Sequence, residues 1–273
     1  MAENLGCYKG FLQFLTALAK IARGASAPST LPMWQRELLF ARDPPRVTFT
    51  HHEYEETKNT TSTIFEPDKL NTKSFFFGSS ELSAIRGLVP ENLKCCSAFE
   101  MIAVVIWRCR TIGLQPDSKD EMRFMFPVNA RTKFNPSLPV GYYGNCIVLA
   151  CAISTARDLS YKSLSYALEL VTKAKSRVSE EYVRSTIDLM VMRGRRPMVN
   201  FDRAYMLSNL RVFYYYMSSK NNKGEYGIMV PISLPSAAME KFVKELSEML
   251  MSNKDNQTLE EHRFLVLDCS SKL

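Results

Sequence analysis

The chain has 273 residues, 46% of them hydrophobic and 23% charged, the balance of a globular protein with core enough for one large domain or two modest ones. Its net charge of +7, from 35 basic and 28 acidic residues, suits an anionic partner, yet the cations are scattered. The densest run, Arg193-Gly194-Arg195-Arg196, lacks stacking aromatics, and no apolar run is long enough to span a bilayer, so neither nucleic acid nor membrane is expected as a partner.

Phe11, Phe14, Leu15, Leu18 and Ile21 recur at helical spacing and predict an amphipathic helix over Gly10–Gly24 that needs a covering surface. A proline-broken loop follows, then a short helix at Trp34–Leu39, ended by Asp43-Pro44-Pro45. Val47–Tyr54 alternates in character and predicts a strand. The polar run around Lys58-Asn59-Thr60-Thr61-Ser62-Thr63 predicts a crossover between domains. The linear division is then 1–54, a linker over 55–73, a second domain over 74–250 and a tail over 251–273.

Ser74–Phe77 predicts a strand, and Ser79 or Ser80 caps a helix running to Gly87 with Glu81 in its first turn. Ser97–Thr111 predicts a long buried helix, and Met122–Asn129 and Asn145–Ile153 predict strands. Leu159–Met192 reads as two helices meeting near Ser179. Val212–Met217 and Tyr226–Ile232 form a hairpin across Lys220–Gly224, and Ser236–Leu250 is a last amphipathic helix. Strands interleaved with helices place the chain in the α/β class. The seven cysteines show no C-x-x-C pair and no metal-type spacing, which predicts reduced core thiols and no metal site.

Between the two middle strands lies Val128–Cys146, VNARTKFNPSLPVGYYGNC. Pro136 and Pro139 stiffen it, Gly141 and Gly144 turn it on either side of Tyr142 and Tyr143, and Arg131 and Lys133 charge it. A stiff basic, aromatic loop held between strands is a candidate site by position alone, since function concentrates in such loops. The stretch resembles the V-[DN]-x-R-x-[KR]-x-x-P-x-L-P-x-x-Y-[FY]-G-N segment of plant BAHD acyl-CoA-dependent acyltransferases. LPMWQRELLFARDPPRVTFTHHEY (Leu31–Tyr54), SFFFG (Ser74–Gly78), FEMIAVVIWRCRT (Phe99–Thr111) and GIMVPISLP (Gly227–Pro235) resemble the branch that contains benzyl alcohol O-benzoyltransferases.

The resemblance implies a chloramphenicol-acetyltransferase-like two-domain sandwich, here with the N-terminal domain truncated. It implies acyl transfer from a coenzyme A thioester to an alcohol, with acyl-CoA as co-substrate and no further cofactor. Such chemistry needs a general base for the hydroxyl proton and donors for the oxyanion. The family's base is the histidine of His-x-x-x-Asp, just before a helix start that Gly10-Phe11-Leu12-Gln13-Phe14 matches. Family spacing places Glu3 and Cys7 at the two motif positions, so no catalytic residue is assigned. His51-x-x-x-Glu55 and His52-x-x-x-Glu56 mimic the spacing on the predicted strand, and His262 lies in the tail; none is given a catalytic role.

The family's Asp-Phe-Gly-Trp-Gly is missing where Leu210-Arg211-Val212 adjoin, which implies a weakened sheet and channel. By resemblance, Arg131 and Asn145 brace the loop, and Tyr143 and Pro139 line the acceptor or coenzyme channel. The implied chain is an acyltransferase that is inactive or impaired; the alternative is a non-catalytic relative acting as a binding partner. Apolar surface left uncovered implies marginal stability or association. Ser271-Lys272-Leu273 reads as a peroxisomal address, with a cytoplasmic location as the alternative.

Overall fold

The computed structural model describes residues 8–55, 70–194, 204–206, 217–221, 224–251 and 267–268. In chain order it forms α1 (Tyr8–Ala22), 3-10 turns at Arg36–Leu39 and His52–Tyr54, β1 (Leu70–Phe77), α2 (Ser79–Gly87) and α3 (Ala98–Leu114). Then come β2 (Glu121–Asn129), β3 (Ile147–Thr155), α4 (Ala156–Tyr161), α5 (Leu164–Ser176), α6 (Glu180–Met192) and β4 (Ala204–Met206). It ends with β5 (Met217–Lys220), β6 (Tyr226–Pro235), α7 (Ser236–Met251) and β7 (Leu267–Asp268). The class is α/β, as the alternating pattern predicts.

The chain groups into two compact units. One holds Met1–Glu55, Pro127–Ala150 and Lys175–Val199; the other holds Glu56–Phe126, Cys151–Ala174 and Asn200–Leu273. Residues 127–150 and 175–199, which the linear division puts with the second domain, thus cluster with the first 55 residues. The cause is local bonding: Met33 pairs with the 130–146 loop, and Arg42, Thr48 and His51 bond to α6.

The second unit is built on a sheet ordered β5-β6-β1-β7, with antiparallel neighbours throughout. β1 and β6 pair from Leu70↔Pro235 to Phe77↔Ile228, so β1 begins four residues before the predicted strand. β5 and β6 make the expected hairpin, Lys220 facing Tyr226 in register; residues 212–216 lie outside the described ones. A segment predicted as tail supplies β7, which pairs Lys73↔Asp268 and Ser74↔Leu267 and so meets backbone groups that β1 leaves open on that side.

α3 is the buried helix of this unit. Ser97 Oγ accepts from the Glu100 N–H (3.3 Å) while Glu100 Oε2 accepts from the Ser97 N–H (2.8 Å), a reciprocal capping box. Met101 through Trp107 are all buried, which no one-sided surface helix shows. Gly113 lets α7 approach closely: a Cβ there would lie 2.7 Å from the Ala238 carbonyl oxygen. Phe75 and Phe242 close the seam between β1 and α7 edge to face, centroids 5.1 Å apart. Each side chain of this size contributes roughly 1.5–3 kcal/mol on full burial. The other sheet is ordered β3-β2-β4, with Phe124 of β2 stacked on Tyr205 of β4 at 5.8 Å and on Phe126 at 5.4 Å.

Helix boundaries also differ from the sequence reading. Gly78, not Ser79 or Ser80, caps α2: its N–H bonds Glu81 Oε2 at 2.8 Å, and the serines lie inside the first turn. The pattern over Leu159–Met192 predicts two helices, but the structure has three elements there, α4, α5 and α6. Arg108 bonds the Ser160 and Lys162 carbonyls and so ends α4, and Ser179 Oγ accepts from the Tyr182 N–H to start α6.

The five described cysteines are free thiols. Burial, with Glu245 adding to it, pushes the Cys109 thiol up to about 12, and burial pushes Cys146 up to about 11. Cys95 is exposed. Maleimide at pH 8 is therefore expected to label Cys95 at least ~100-fold faster than Cys109 or Cys146 in the folded protein, followed by peptide mass spectrometry. Equal rates would contradict this burial.

Candidate functional site

The 130–146 loop is held by its own backbone. Ala130 N–H bonds the Cys146 carbonyl at 2.9 Å, Leu138 N–H the Arg131 carbonyl at 3.1 Å, and Tyr142 N–H the Pro139 carbonyl at 3.0 Å. The Arg131 guanidinium donates to the Gly144 carbonyl, and Asn129 Oδ1 accepts the Arg131 N–H at 3.2 Å. Asn145 Oδ1 accepts the Ile147 N–H at 3.1 Å. Arg131 and Asn145 therefore bond the backbone around the loop's return into β3. Pro139 contributes its carbonyl, and Tyr143 is half-buried.

A second strand-like segment lies against this loop. Met33 N–H donates to the Gly141 carbonyl at 2.9 Å, and the Tyr143 N–H donates to the Met33 carbonyl at 2.8 Å. Trp34 then sits 4.8 Å from the Tyr143 ring, with the Arg36 guanidinium 5.6 Å from the Trp34 centroid. Gly141 is indispensable to the approach. Its φ is +87°, and a Cβ there would strike the Leu31 carbonyl oxygen. Gly141→Ala is expected to cost about 2 kcal/mol of stability. It should also alter Trp34 fluorescence, because the loop must retreat from Met33. Both quantities come from one urea titration, and an unchanged midpoint with an unchanged spectrum would refute the close approach.

The predicted strand Val47–Tyr54 is not one. It is irregular and bends at Phe49, then makes the His52–Tyr54 turn, and its Thr48 and Phe49 N–H groups bond to an α6 side chain instead of a neighbouring strand. Thr48 and Phe49 N–H both reach Ser185 Oγ, at 2.9 and 3.1 Å. Upstream, Asp188 accepts the Arg42 N–H (2.9 Å), Arg42 Nε (2.6 Å) and the Arg46 N–H (2.9 Å), while Arg42 Nη1 and Thr48 Oγ1 bond Glu181 at 2.8 and 2.7 Å. Glu181, Ser185 and Asp188 fall four and three residues apart on one face of α6. That polar stripe inside a mostly apolar helix was the available signal for this cluster, and the sequence reading missed it.

His51 lies inside the cluster, buried, rather than on a surface strand. Its Nδ1 is 2.8 Å from Glu53 Oε1, and its Nε2 is 2.9 Å from Ser185 Oγ. Ser185 Oγ already accepts two backbone N–H groups, so its own proton points at Nε2, and Nδ1 carries the ring proton toward Glu53. The Tyr182 hydroxyl lies 2.5 Å from the same Glu53 oxygen. The spacing His51-x-x-x-Glu55 is not used: Glu55 pairs with His52 at 2.8 Å, and Glu53 pairs with His51. Serine, histidine and carboxylate thus line up in triad order, but Ser185, His51 and Glu53 are 0%, 4% and 3% exposed. A saturated, buried hydroxyl holds chain in place and reaches no substrate.

α6 also serves the loop. Glu180 Oε2 accepts the Asn135 N–H at 3.1 Å, and the Arg184 guanidinium lies 5.5 Å over the Phe134 ring. Among the described residues no group of three or more His, Cys, Asp or Glu can hold a metal ion, and no helix is long and apolar enough to cross a membrane. Glu3, Cys7, His262, the 211–212 junction and Ser271–Leu273 lie outside the described residues.

Residues 8–219 match the model of the Transferase family. The chain is 49% identical over 270 residues to a benzyl alcohol O-benzoyltransferase of Nicotiana tabacum, covering 88% of this chain and 58% of that protein. It is 41% identical over 277 residues to alcohol acyl transferase 2 of Malus domestica, covering 90% and 60%. The chain thus spans somewhat under two thirds of the length of these relatives. Among solved structures it is similar to vinorine synthase, with a TM-score of 0.57 at 17% identity over 87% of this chain and 59% of that one. It is equally similar to Fusarium graminearum TRI101 complexed with coenzyme A and deoxynivalenol, TM-score 0.57 at 15% identity over 86% and 61%. These two share the fold.

Proposed function

Since this chain belongs to the Transferase family of BAHD acyltransferases, whose chloramphenicol-acetyltransferase-like fold it shares, we propose that it serves acyl transfer from a coenzyme A thioester to a small alcohol. The observation that carries this is the 49% identity to a benzyl alcohol O-benzoyltransferase along 88% of the chain, which makes benzoyl-CoA and benzyl alcohol the first pair to try. In that chemistry the alcohol oxygen bonds to the thioester carbonyl carbon and loses its proton to a base. The oxyanion then collapses, the C–S bond breaks, and the thiolate leaves as coenzyme A once it takes up a proton.

The stiff 130–146 loop suits a channel wall, with Tyr143 and Pro139 as lining residues and Arg131 and Asn145 behind them. No metal or redox group is needed for the step. We extend the proposal to location: Ser271-Lys272-Leu273 directs the chain to peroxisomes, and deleting the tripeptide should leave a fluorescent fusion in the cytoplasm.

The test is calorimetric binding of coenzyme A beside a thiol-release assay with benzoyl-CoA, with and without benzyl alcohol. Binding together with acceptor-dependent release supports the reading. Binding with no such release assigns the chain to the non-catalytic alternative, and no binding removes the proposal.

A further inference from the structure

We propose that Cys95 and Cys96 form a chelating site for trivalent arsenicals, compounds that offer one arsenic atom to two thiols. The pair stands between the 3-10 turn Glu91–Leu93 and Ser97, the N-cap of α3. The Cys96 N–H bonds the Leu93 carbonyl at 3.1 Å, and the Ser97–Glu100 capping box fixes the next residue. The backbone that carries both sulfurs is thus held on either side by short-range bonds. Both are free thiols, Cys95 exposed and Cys96 partly so. Cys95 Sγ donates to the Asn92 carbonyl at 3.6 Å, and Cys96 Sγ lies 3.9 Å from Thr172 Oγ1 on α5. Sulfur is a weak hydrogen-bonding partner, so these two contacts yield readily to covalent bonds.

Geometry selects the ligand. Neighbouring α-carbons across a trans peptide stand about 3.8 Å apart, closer than the roughly 4.4–6.8 Å that a disulfide spans. A direct S–S bond between neighbours is strained, whereas an atom set between the sulfurs lets them stay further apart. Among the described residues no group of three or more His, Cys, Asp or Glu can hold a metal ion, so a closed zinc cage is not built there. An organoarsenous oxide needs only the two thiols, because its organic group fills arsenic's third position. Two As–S bonds form, the oxide oxygen leaves with both thiol protons as one water, and nothing is oxidised or reduced. Once one sulfur has bonded, the other closes the ring at an effective concentration that no separate thiol offers.

The probe is phenylarsine oxide, titrated into the full chain and followed by intact and peptide mass spectrometry. One phenylarsenic unit should add, and the peptide holding Cys95 and Cys96 should escape alkylation by iodoacetamide. 2,3-Dimercaptopropanol should strip the label where 2-mercaptoethanol at equal thiol concentration leaves it. Cys95→Ser and Cys96→Ser should each lose at least ~10²-fold of the affinity, and Cys95→Ala repeats the test without a hydroxyl. Neither side chain belongs to the buried core, so these variants should keep their circular dichroism and melting midpoint. Full affinity in the Cys95 variants, a label mapped to any other cysteine, or equal release by the monothiol overturns the proposal. So does recovery of a Cys95–Cys96 disulfide from glutathione-buffered solution, since the sulfurs would then bond each other in preference.

Discussion

Asp188→Ala is expected to destabilise the protein by about 3 kcal/mol, read as a fall in the urea midpoint. Asp188 is 0% exposed and takes three hydrogen bonds, from the Arg42 N–H, Arg42 Nε and the Arg46 N–H. Deleting the carboxylate leaves two part-buried backbone donors without their acceptor, and the guanidinium loses one of its two carboxylate partners. Arg42 is partly solvated and keeps Glu181, so the lower end of the range for broken buried pairs applies. Asp188→Asn should fall between, because its amide oxygen still accepts. A midpoint unchanged in the alanine variant would show that the 42–49 segment is not held by α6.

The same cluster sets the acid limb of stability. Burial pushes the Asp188 carboxyl up, but the Arg46 N–H, the Arg42 side chain and the Arg42 N–H outweigh it and hold it below the usual 3.8. The Arg42 and then the Thr48 hydrogen bond hold Glu181 below its usual 4.5, and Arg184 followed by the Asn135 N–H does so for Glu180. Folded values below unfolded ones mean stability fully present above the usual carboxylate range and lost as pH falls through the folded values. The midpoint should hold from neutral pH to about 5 and then drop, less steeply in Asp188→Ala.

What could be read in advance follows from how local its cause is. The Ser97–Glu100 box and the unbroken apolar run behind it specify α3 within a few residues, and the turn chemistry at Lys220–Gly224 specifies the β5–β6 hairpin. The motif in the 130–146 loop was enough to point to the family that the comparisons assign. Val47–Tyr54 failed for the opposite reason. Its alternation imitates a strand, while its hydrogen-bond partners, Ser185 and Glu181, lie more than 130 residues on. The break between α4 and α5 has no glycine or proline, and its cause is Arg108 on another helix. β7 was read as tail because two residues carry no period at all.

Acceptor-dependent thiol release from benzoyl-CoA with benzyl alcohol is expected to run ~10²–10⁴-fold below that of the tobacco benzyl alcohol O-benzoyltransferase assayed alongside, the range a positioned general base supplies. We propose, on the family spacing that puts Glu3 and Cys7 at the two motif positions, that these 273 residues carry no base histidine. His51 does not replace it. An acceptor hydroxyl would need to come within hydrogen-bond reach of Nε2, and that atom is 2.9 Å from a Ser185 hydroxyl already fixed by two N–H groups. Opening the site would also break the Glu53 and Tyr182 contacts. His52 is tied to Glu55. His51→Gln should therefore lower the urea midpoint while leaving any residual rate within about twofold, since a group that never touches substrate sets stability and not turnover. A rate matching the tobacco enzyme would mean that another base operates. Loss of the residual rate in a His51→Gln variant that still folds and binds coenzyme A would make His51 that base, and the closed Ser185–His51–Glu53 chain would then have to open during turnover.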